Sequence, residues 1–274
     1  MIALAAERNQ TKEHNNNELQ NKIRTMDNKS DISPTLSIII ATFNSGKILR
    51  RALDSVLNQS YQNWECVIVD GASKDNTLEI VKEYEERDSR FRHISEPDHG
   101  IYEAFNKGWK LAKGEWVHYL GSDDKLTEDG FSQLFKQDLN AEAIGGGVYL
   151  VREGERPKPQ YTHGFGGCHQ GFIMKKSLIE KLGGFNERYK ILADADLMTR
   201  ATASKVPVKD YRILIAYFTI GGVSQTLSNL YSRSKERYSI LRETHYTDTP
   251  LLNCCLWYIR SILVYIKHKV YKVK

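Results

Sequence analysis

No two cysteines in this 274-residue chain have the spacing of a metal knuckle or a disulfide framework; Cys66, Cys168, Cys254 and Cys255 are all there are. Cys66 lies in an apolar strand pattern and reads as a buried thiol. The adjacent Cys254 and Cys255 cannot bridge each other without strain, so a reducing cytosol fits. Nor does the start read as a signal peptide, since Met1 to Ala6 is too short an apolar stretch and no small-residue cleavage site is expected after it. The apolar run Leu251 to Ile266 falls short of the roughly 20 residues that a spanning helix needs, and Arg260 interrupts it. A formal net charge of +5 is too small to argue for nucleic acid. Neither G-x-G-x-x-G nor a Walker-type Lys-Ser/Thr pair follows the first apolar strand, so phosphates must be held without a glycine-rich loop. What remains is an ordinary globular composition, 41% hydrophobic and 27% charged, at a length that suits one large domain with appendages.

Residues 1–34 are rich in Asn, Lys, Glu and Gln and poor in apolar side chains, which predicts a disordered or loosely ordered leader. From Leu36 the pattern alternates. Strands are expected at Leu36–Ala41, Trp64–Val69, Phe91–Ser95 and Trp116–Leu120. Helices are expected from about Lys47 to Asn58 with Ser45 as cap, after Asp75, and from Ile101 to near Gly114. Alternation of this kind implies right-handed crossovers and a mostly parallel, Rossmann-like α/β sheet with helices on both faces. Beyond Asp129 a helix to Gln137, a bent strand Ala141–Val151, a glycine-rich loop Tyr161–Gly171 containing His163, Cys168, His169 and Gln170, helices at Lys176–Leu182 and from Ala193, and a strand Val208–Phe218 follow.

Open α/β sheets bind ligands outside the carboxyl ends of their strands. Those ends read Thr42-Phe43-Asn44, Asp70-Gly71-Ala72-Ser73, Glu96-Pro97-Asp98-His99-Gly100 and Ser122-Asp123-Asp124, so three of the four deliver an Asp to one rim. Two readings of Asp123-Asp124 stand. Ser122 or Asp123 caps a following helix, or the paired carboxylates hold a hard divalent cation and, through it, a diphosphate.

Several of these elements, in this order, resemble the family 2 inverting glycosyltransferases of GT-A fold, most of all the bacterial branch that builds exopolysaccharide, capsule or lipopolysaccharide. The matching segments are Ile40–Asn44, Val69–Thr77, Glu96–Tyr102, Asn106-Lys107-Gly108, Gly121–Asp124, His169-Gln170, Gly183–Glu187, Ala193–Leu197 and Gly221–Ser224. The resemblance implies that Thr42, Asn44, Asp70 and Ser73 line the nucleotide pocket. It places Asp98 near the ribose and diphosphate, Asp123 on the ribose or sugar, and Asp124 on a Mn²⁺ or Mg²⁺ ion. Asp194 matches the catalytic base. Many relatives carry Glu-Asp where this chain has Ala193-Asp194, which leaves Asp196 as a rival for that role. His169 either touches the diphosphate or acceptor or serves loop packing, and Gln170 is a candidate acceptor or diphosphate contact. Tyr102 and Trp109 read as core.

The expected activity is therefore metal-dependent, inverting transfer of a hexosyl group. The sugar would move from a nucleoside-diphosphate sugar to a hydroxyl of a lipid-linked saccharide in surface polysaccharide synthesis. A non-catalytic nucleotide-sugar binding or scaffold subunit is the alternative, and a nucleotidyltransferase is a weaker rival for want of a basic glycine-rich loop. The expected layout is a glycosyltransferase domain over 35–225, divided into a nucleotide half (35–124) and an acceptor half (125–225), with a helical extension over 226–274. In that extension Leu252, Leu256, Ile259, Leu263, Ile266 and Val270 share one helix face, and Lys267, Lys269, Lys272 and Lys274 make the end basic. This is the profile of an amphipathic helix lying on an anionic membrane surface, here the cytoplasmic face of the plasma membrane. Packing on its own domain or on a second subunit is the other reading.

Overall fold

A computed structural model describes residues 34–152, 154–161, 168–220 and 227–271, with side chains described to Leu263 in the last helix but not for Leu227. The expected leader up to residue 33, His163, the Gly221–Ser224 element and the terminal Lys272 and Lys274 lie outside the described residues. A boundary separates residues up to Pro34 from a compact unit beginning at Thr35.

Strand β1 (Leu36–Thr42) is buried along its whole length. Period-two alternation divides its side chains between two cores. Ile38 and Ile40 pack with helix α1 (Leu49–Leu57) through Leu49, Ala52, Leu53 and Val56, and with α2 (Thr77–Arg87) through Ile80, Val81 and Tyr84. Ile39 and Ala41 face the opposite layer, where α3 (Ile101–Leu111) contributes Ala104, Phe105 and Trp109. The approach of α3 to β1 is close enough to require Gly108, because a Cβ there would lie 2.3 Å from Ile39 Cγ2. Part of the Asn106-Lys107-Gly108 motif is thus explained by packing.

With β2 (Trp64–Asp70), β3 (Phe91–Ser95) and β4 (Trp116–Gly121), β1 forms a parallel sheet in the order β3-β2-β1-β4. The strand order reverses between β1 and β4, the switch point at whose carboxyl ends open α/β sheets place their ligand crevice. The expected parallel sheet is present in this half. The second half adds β5 (Lys125–Leu126), α4 (Gly130–Leu134), β6 (Ala143–Val151), β7 (Lys158–Tyr161), β8 (Phe172–Lys175), α5 (Lys176–Lys181), α6 (Ala193–Ala203) and β9 (Val208–Thr219). These complete a nine-stranded sheet, β3-β2-β1-β4-β8-β6-β9-β5 with β7 on β6. Here β6 and β9 are parallel, while β4–β8, β6–β8, β6–β7 and β5–β9 are antiparallel. Two local expectations fail. Ser45 does not cap α1 with its side chain, which instead donates to Phe43 O, and α4 has five residues rather than reaching Gln137.

Helix α7 (Leu230–Glu243) packs against α8 (Pro250–Tyr271). Cys254 and Trp257 of α8 turn toward α7, with Cys254 Sγ donating to Ser234 O and Arg233 lying over the Trp257 ring. Leu252, Leu256, Ile259 and Leu263, the described part of the expected apolar face, are each more than half exposed. Among the described residues no helix is long and apolar enough to cross a membrane.

Candidate active site

Register sets Thr42 beside Asp70 and Ala41 beside Gly121, so the loops leaving β1, β2 and β4 begin at one level. The Ser45 and Ser122 hydroxyls, 3.2 Å apart, tie two of those loops across the crevice. Behind the rim, Asp70 is fully buried and accepts from Ser73 N (3.0 Å), Ser73 Oγ (2.5 Å) and Ser95 Oγ (2.7 Å). Ser73 Oγ accepts from Asn44 N at 2.8 Å, and Asn44 Oδ1 accepts from Lys74 N at 2.8 Å. This network holds Asn44 (φ 48°) and Ala72 (φ 61°) in a left-handed conformation that non-glycine residues seldom adopt. Asp70, Ser73 and Asn44 thus form one lattice with Asp70 as its hub. Thr42 Oγ1 is buried beside it without a partner among the described residues. Asp98 accepts from Gly100 N at 3.0 Å and covers the bare face of Gly71, where a Cβ would come 2.8 Å from Asp98 Oδ2.

The chain runs from Asp124 into β5, and the next helix starts only at Gly130. The helix-cap reading of Ser122-Asp123 therefore fails. Asp124 is 2% exposed; its Oδ1 accepts from Thr219 N at 2.6 Å and its Oδ2 from Gln170 Nε2 at 2.5 Å. Asp123 O accepts from Thr219 Oγ1 at 3.1 Å and from the Arg51 guanidinium. Burial, reinforced by the neighbouring Asp123 charge, pushes the Asp124 carboxyl up to about 6 despite the lowering by the Thr219 N–H and the Gln170 amide.

These residues fit a divalent cation. A Cβ on Gly121 would lie 2.6 Å from Asp124 Oδ2 and 2.9 Å from Asp123 Oδ1, so both carboxylates converge over the bare glycine. Gln170 Oε1 is buried next to them with no partner among the described residues. Hard oxygen donors of this kind suit Mg²⁺ or Mn²⁺. Among the described residues no cluster of three His, Cys, Asp or Glu side chains is present, so such an ion would complete its shell with substrate oxygens and water.

The second carboxylate, Asp194, sits in the first turn of α6 at a cavity of about 540 Å³. Its Oδ2 is 2.9 Å from His169 Nδ1, while Oδ1 accepts from Ala195 N (2.8 Å) and Tyr102 OH (3.3 Å). Burial raises the Asp194 carboxyl, but the His169 contact and the other donors outweigh it and hold it below the usual carboxylate range. The adjacent residues His169 and Gln170 therefore link the two carboxylates: His169 holds Asp194 and Gln170 holds Asp124. Neither of the two earlier readings of His169 included this role.

Asp196 points elsewhere. It is 3% exposed and pairs with Arg200 at 2.7 Å, and Arg200 also donates to Leu182 O and Gly184 O. Asp196→Ala is expected to cost about 1–3 kcal/mol by removing the carboxylate partner of Arg200, which keeps its two carbonyl acceptors, read as a lowered urea midpoint. Turnover per folded molecule should persist. The Gly183–Glu187 motif is structural in the same sense. Gly184 has φ 72° and its Cα faces Asn106 Oδ1 and Trp109. Asn106 donates to Phe185 O and accepts from Phe185 N. Tyr102, expected in the core, stacks on Phe185 and also reaches Asp194. Arg51, Thr219 and Glu236 escaped the sequence reading because they act through backbone groups. Glu236 of α7 accepts from the N–H groups of Lys190, Ile191 and Leu192 just before α6.

Compared with known proteins, residues 37–198 match the profile "Glycosyl transferase family 2". A PGL/p-HBAD biosynthesis glycosyltransferase of Mycobacterium tuberculosis is 31% identical over 207 residues, covering 71% of this chain and 81% of that protein. Glycosyltransferase GlyG of Streptococcus pneumoniae is 28% identical over 180 residues, covering 64% of this chain and 60% of GlyG. Among solved structures, S. aureus TarS 1-349 in complex with UDP-GlcNAc superposes with TM-score 0.63 at 20% identity, over 77% of this chain and 65% of that one. Mannosyltransferase PcManGT from Pyrobaculum calidifontis, in complex with GDP-Man and Mn²⁺, gives 0.64 at 16% identity, over 88% and 76%. At these identities the structural likeness shows the shared fold, the GT-A fold expected from the sequence.

Proposed function

The chain belongs to glycosyl transferase family 2, and from that premise we propose that it is a metal-dependent, inverting glycosyltransferase. It moves a hexosyl group from a nucleoside-diphosphate sugar to a hydroxyl of a lipid-linked saccharide in bacterial surface polysaccharide synthesis. The observation that carries this reading is the His169-Gln170 turn, which fixes one carboxylate at the crevice and another at a cavity beside it.

The lattice of Asn44, Asp70 and Ser73 shapes the nucleotide pocket, with Thr42 Oγ1 left to meet the ligand and Asp98 at its edge. Asp124 would hold Mg²⁺ or Mn²⁺, which when bound offsets charge developing on the leaving diphosphate, and Asp123 would face the donor's ribose or sugar. Asp194, ionised and oriented by His169 and Tyr102, accepts the proton of the attacking hydroxyl. Attack opposite the leaving group in one displacement inverts the anomeric carbon. A purely binding subunit would have no use for a carboxylate ordered in this way at a second cavity. The domain spans 35–225 in this reading, its first half binding donor and its second half acceptor. Release of nucleoside diphosphate from a panel of donors with and without Mg²⁺ tests it; no release from any donor would return the scaffold reading.

We place the protein at the cytoplasmic face of the plasma membrane, docked by α8. The support is the exposed stripe Leu252, Leu256, Ile259 and Leu263 together with a basic terminus. Leu256→Asp with Leu263→Asp, both at exposed positions, is expected to abolish flotation with phosphatidylcholine–phosphatidylglycerol vesicles without lowering the melting temperature. Unchanged flotation would remove the membrane role of α8.

A further inference from the structure

Arg233 of α7 lines the Asp194 cavity, together with His169 and Lys190. Its Nε is buried without a hydrogen-bond partner, and its guanidinium donates to no oxygen among the described residues. Among the described residues the Trp257 ring stacks on it, 5.0 Å from Arg233 Cζ. Only Nε is buried; the terminal nitrogens of this half-buried side chain stay open at the cavity, so the planar fork is available to an anion that arrives from outside. Asp194 accepts no hydrogen bond from it, its oxygens facing His169, Tyr102 and Ala195 N, although its charge favours the Arg233 cation.

A merely structural arginine would be expected to look like Arg237, one turn further along α7. That residue also has a buried Nε without a partner and lies over the same indole at 5.4 Å, but it donates to Asn253 Oδ1 at 3.1 Å and is not part of the cavity wall. Arg233, by contrast, is aimed with some rigidity. Residues three apart share a helix face, and Glu236, on the same face, fixes α7 to the backbone of residues 190–192 at the entrance of α6. The residue that clamps the Asp194 segment and the residue that enters its cavity thus move together. None of Thr42, Asn44, Asp70, Ser73, Asp123 or Asp124 lines this cavity, which separates it from the donor rim. Its other walls are largely apolar, with Ile101, Tyr102, Leu192 and Phe218 among them.

We propose that Arg233 is a specificity-determining residue that binds an oxyanion carried by the acceptor, a phosphoryl or carboxylate group close to the hydroxyl that attacks. The planar guanidinium fork matches both groups bidentately, and Lys190 at the same cavity adds a second positive charge. The inference rests on the reading of Asp194 as the base facing the acceptor.

Phenyl phosphate, phenyl β-glucuronide and phenyl β-glucoside, titrated calorimetrically into the full chain in EDTA, test it. EDTA keeps cation-dependent donor binding out of the readout. At least one anionic probe should bind about tenfold or more tighter than the neutral glucoside, as expected for a charge-assisted contact. Arg233→Gln should bring that ratio to about one, Arg233→Lys should leave it intermediate, and Arg237→Gln should leave it unchanged. Preference for the phosphate identifies a phosphoryl acceptor, and preference for the glucuronide an acidic sugar. Equal binding of all three probes, no binding of any, or a preference that survives Arg233→Gln overturns the proposal. The ratio needs neither donor nor turnover. It therefore stays readable if Asp194→Asn leaves transfer intact, a result that would remove the base assignment alone.

Discussion

Asp194→Asn is expected to lower sugar transfer by about 10²–10⁴-fold, the usual contribution of a positioned general base, while leaving donor affinity unchanged. The substitution keeps size and shape and removes the proton acceptor. With the oxygen kept toward His169 Nδ1, the new NH₂ group faces both the Ala195 N–H and the Tyr102 hydroxyl, which share the other oxygen. Melting temperature is therefore the necessary control. The carboxylate lies outside the Asn44–Asp70–Ser73 lattice, so calorimetric donor binding should match the wild type. Because His169, Ala195 N and Tyr102 draw the carboxyl below its usual range despite burial, Asp194 is ionised and ready to accept a proton at neutral pH. An Asp194→Asn protein that transfers at the wild-type rate would assign the base to another residue. Asp196 is a poor substitute, since its carboxylate is spent on Arg200 in the interior.

Asp124→Asn is expected to have the other large effect, a loss of about 10³-fold or more in cation-dependent turnover, because Lewis-acid stabilisation of the leaving group is worth several kcal/mol. Donor affinity in Mg²⁺ should fall with it, toward the value measured in EDTA. The variant also tests the wiring of the site. Both Asp124 oxygens accept hydrogen bonds, one from Thr219 N and one from Gln170 Nε2, and an amide offers only one acceptor. One donor is left facing an NH₂ group, at about 1–3 kcal/mol, so the melting temperature should fall modestly. If donor binding and its cation dependence were both unchanged, the ion would have to sit elsewhere.

The sequence showed the first half of the sheet clearly, and for a physical reason. Strands such as Ile38-Ile39-Ile40 are buried on both faces, and helices such as α1 carry their apolar residues on one side, so local pattern and tertiary environment agree. Asp70, Asp98 and Asp123-Asp124 stood out because an Asp at a strand end needs a reason. The second half was harder to read. The antiparallel β8 lies between β4 and β6, which fall before it in sequence, and no local pattern announces such a crossing. The roles of Ser45 and α4 were misjudged because capping and helix length depend on partners far away in the chain. Thr219 acts through its backbone N–H, and Glu236 through the amides of residues 190–192. A one-dimensional reading has no signal for either contact. His169 was visible as an unusual residue, but its partner Asp194 lies 25 positions away.

The most direct test of the account is a proton NMR time course of donor turnover by the full chain, with UDP-glucose, UDP-N-acetylglucosamine and GDP-mannose each supplied with Mg²⁺ and again with EDTA. The account predicts that at least one donor is consumed only when Mg²⁺ is present, and that the first-formed sugar product carries the opposite anomeric configuration. Turnover that is equal in EDTA, or a product that keeps the donor's configuration, would contradict it.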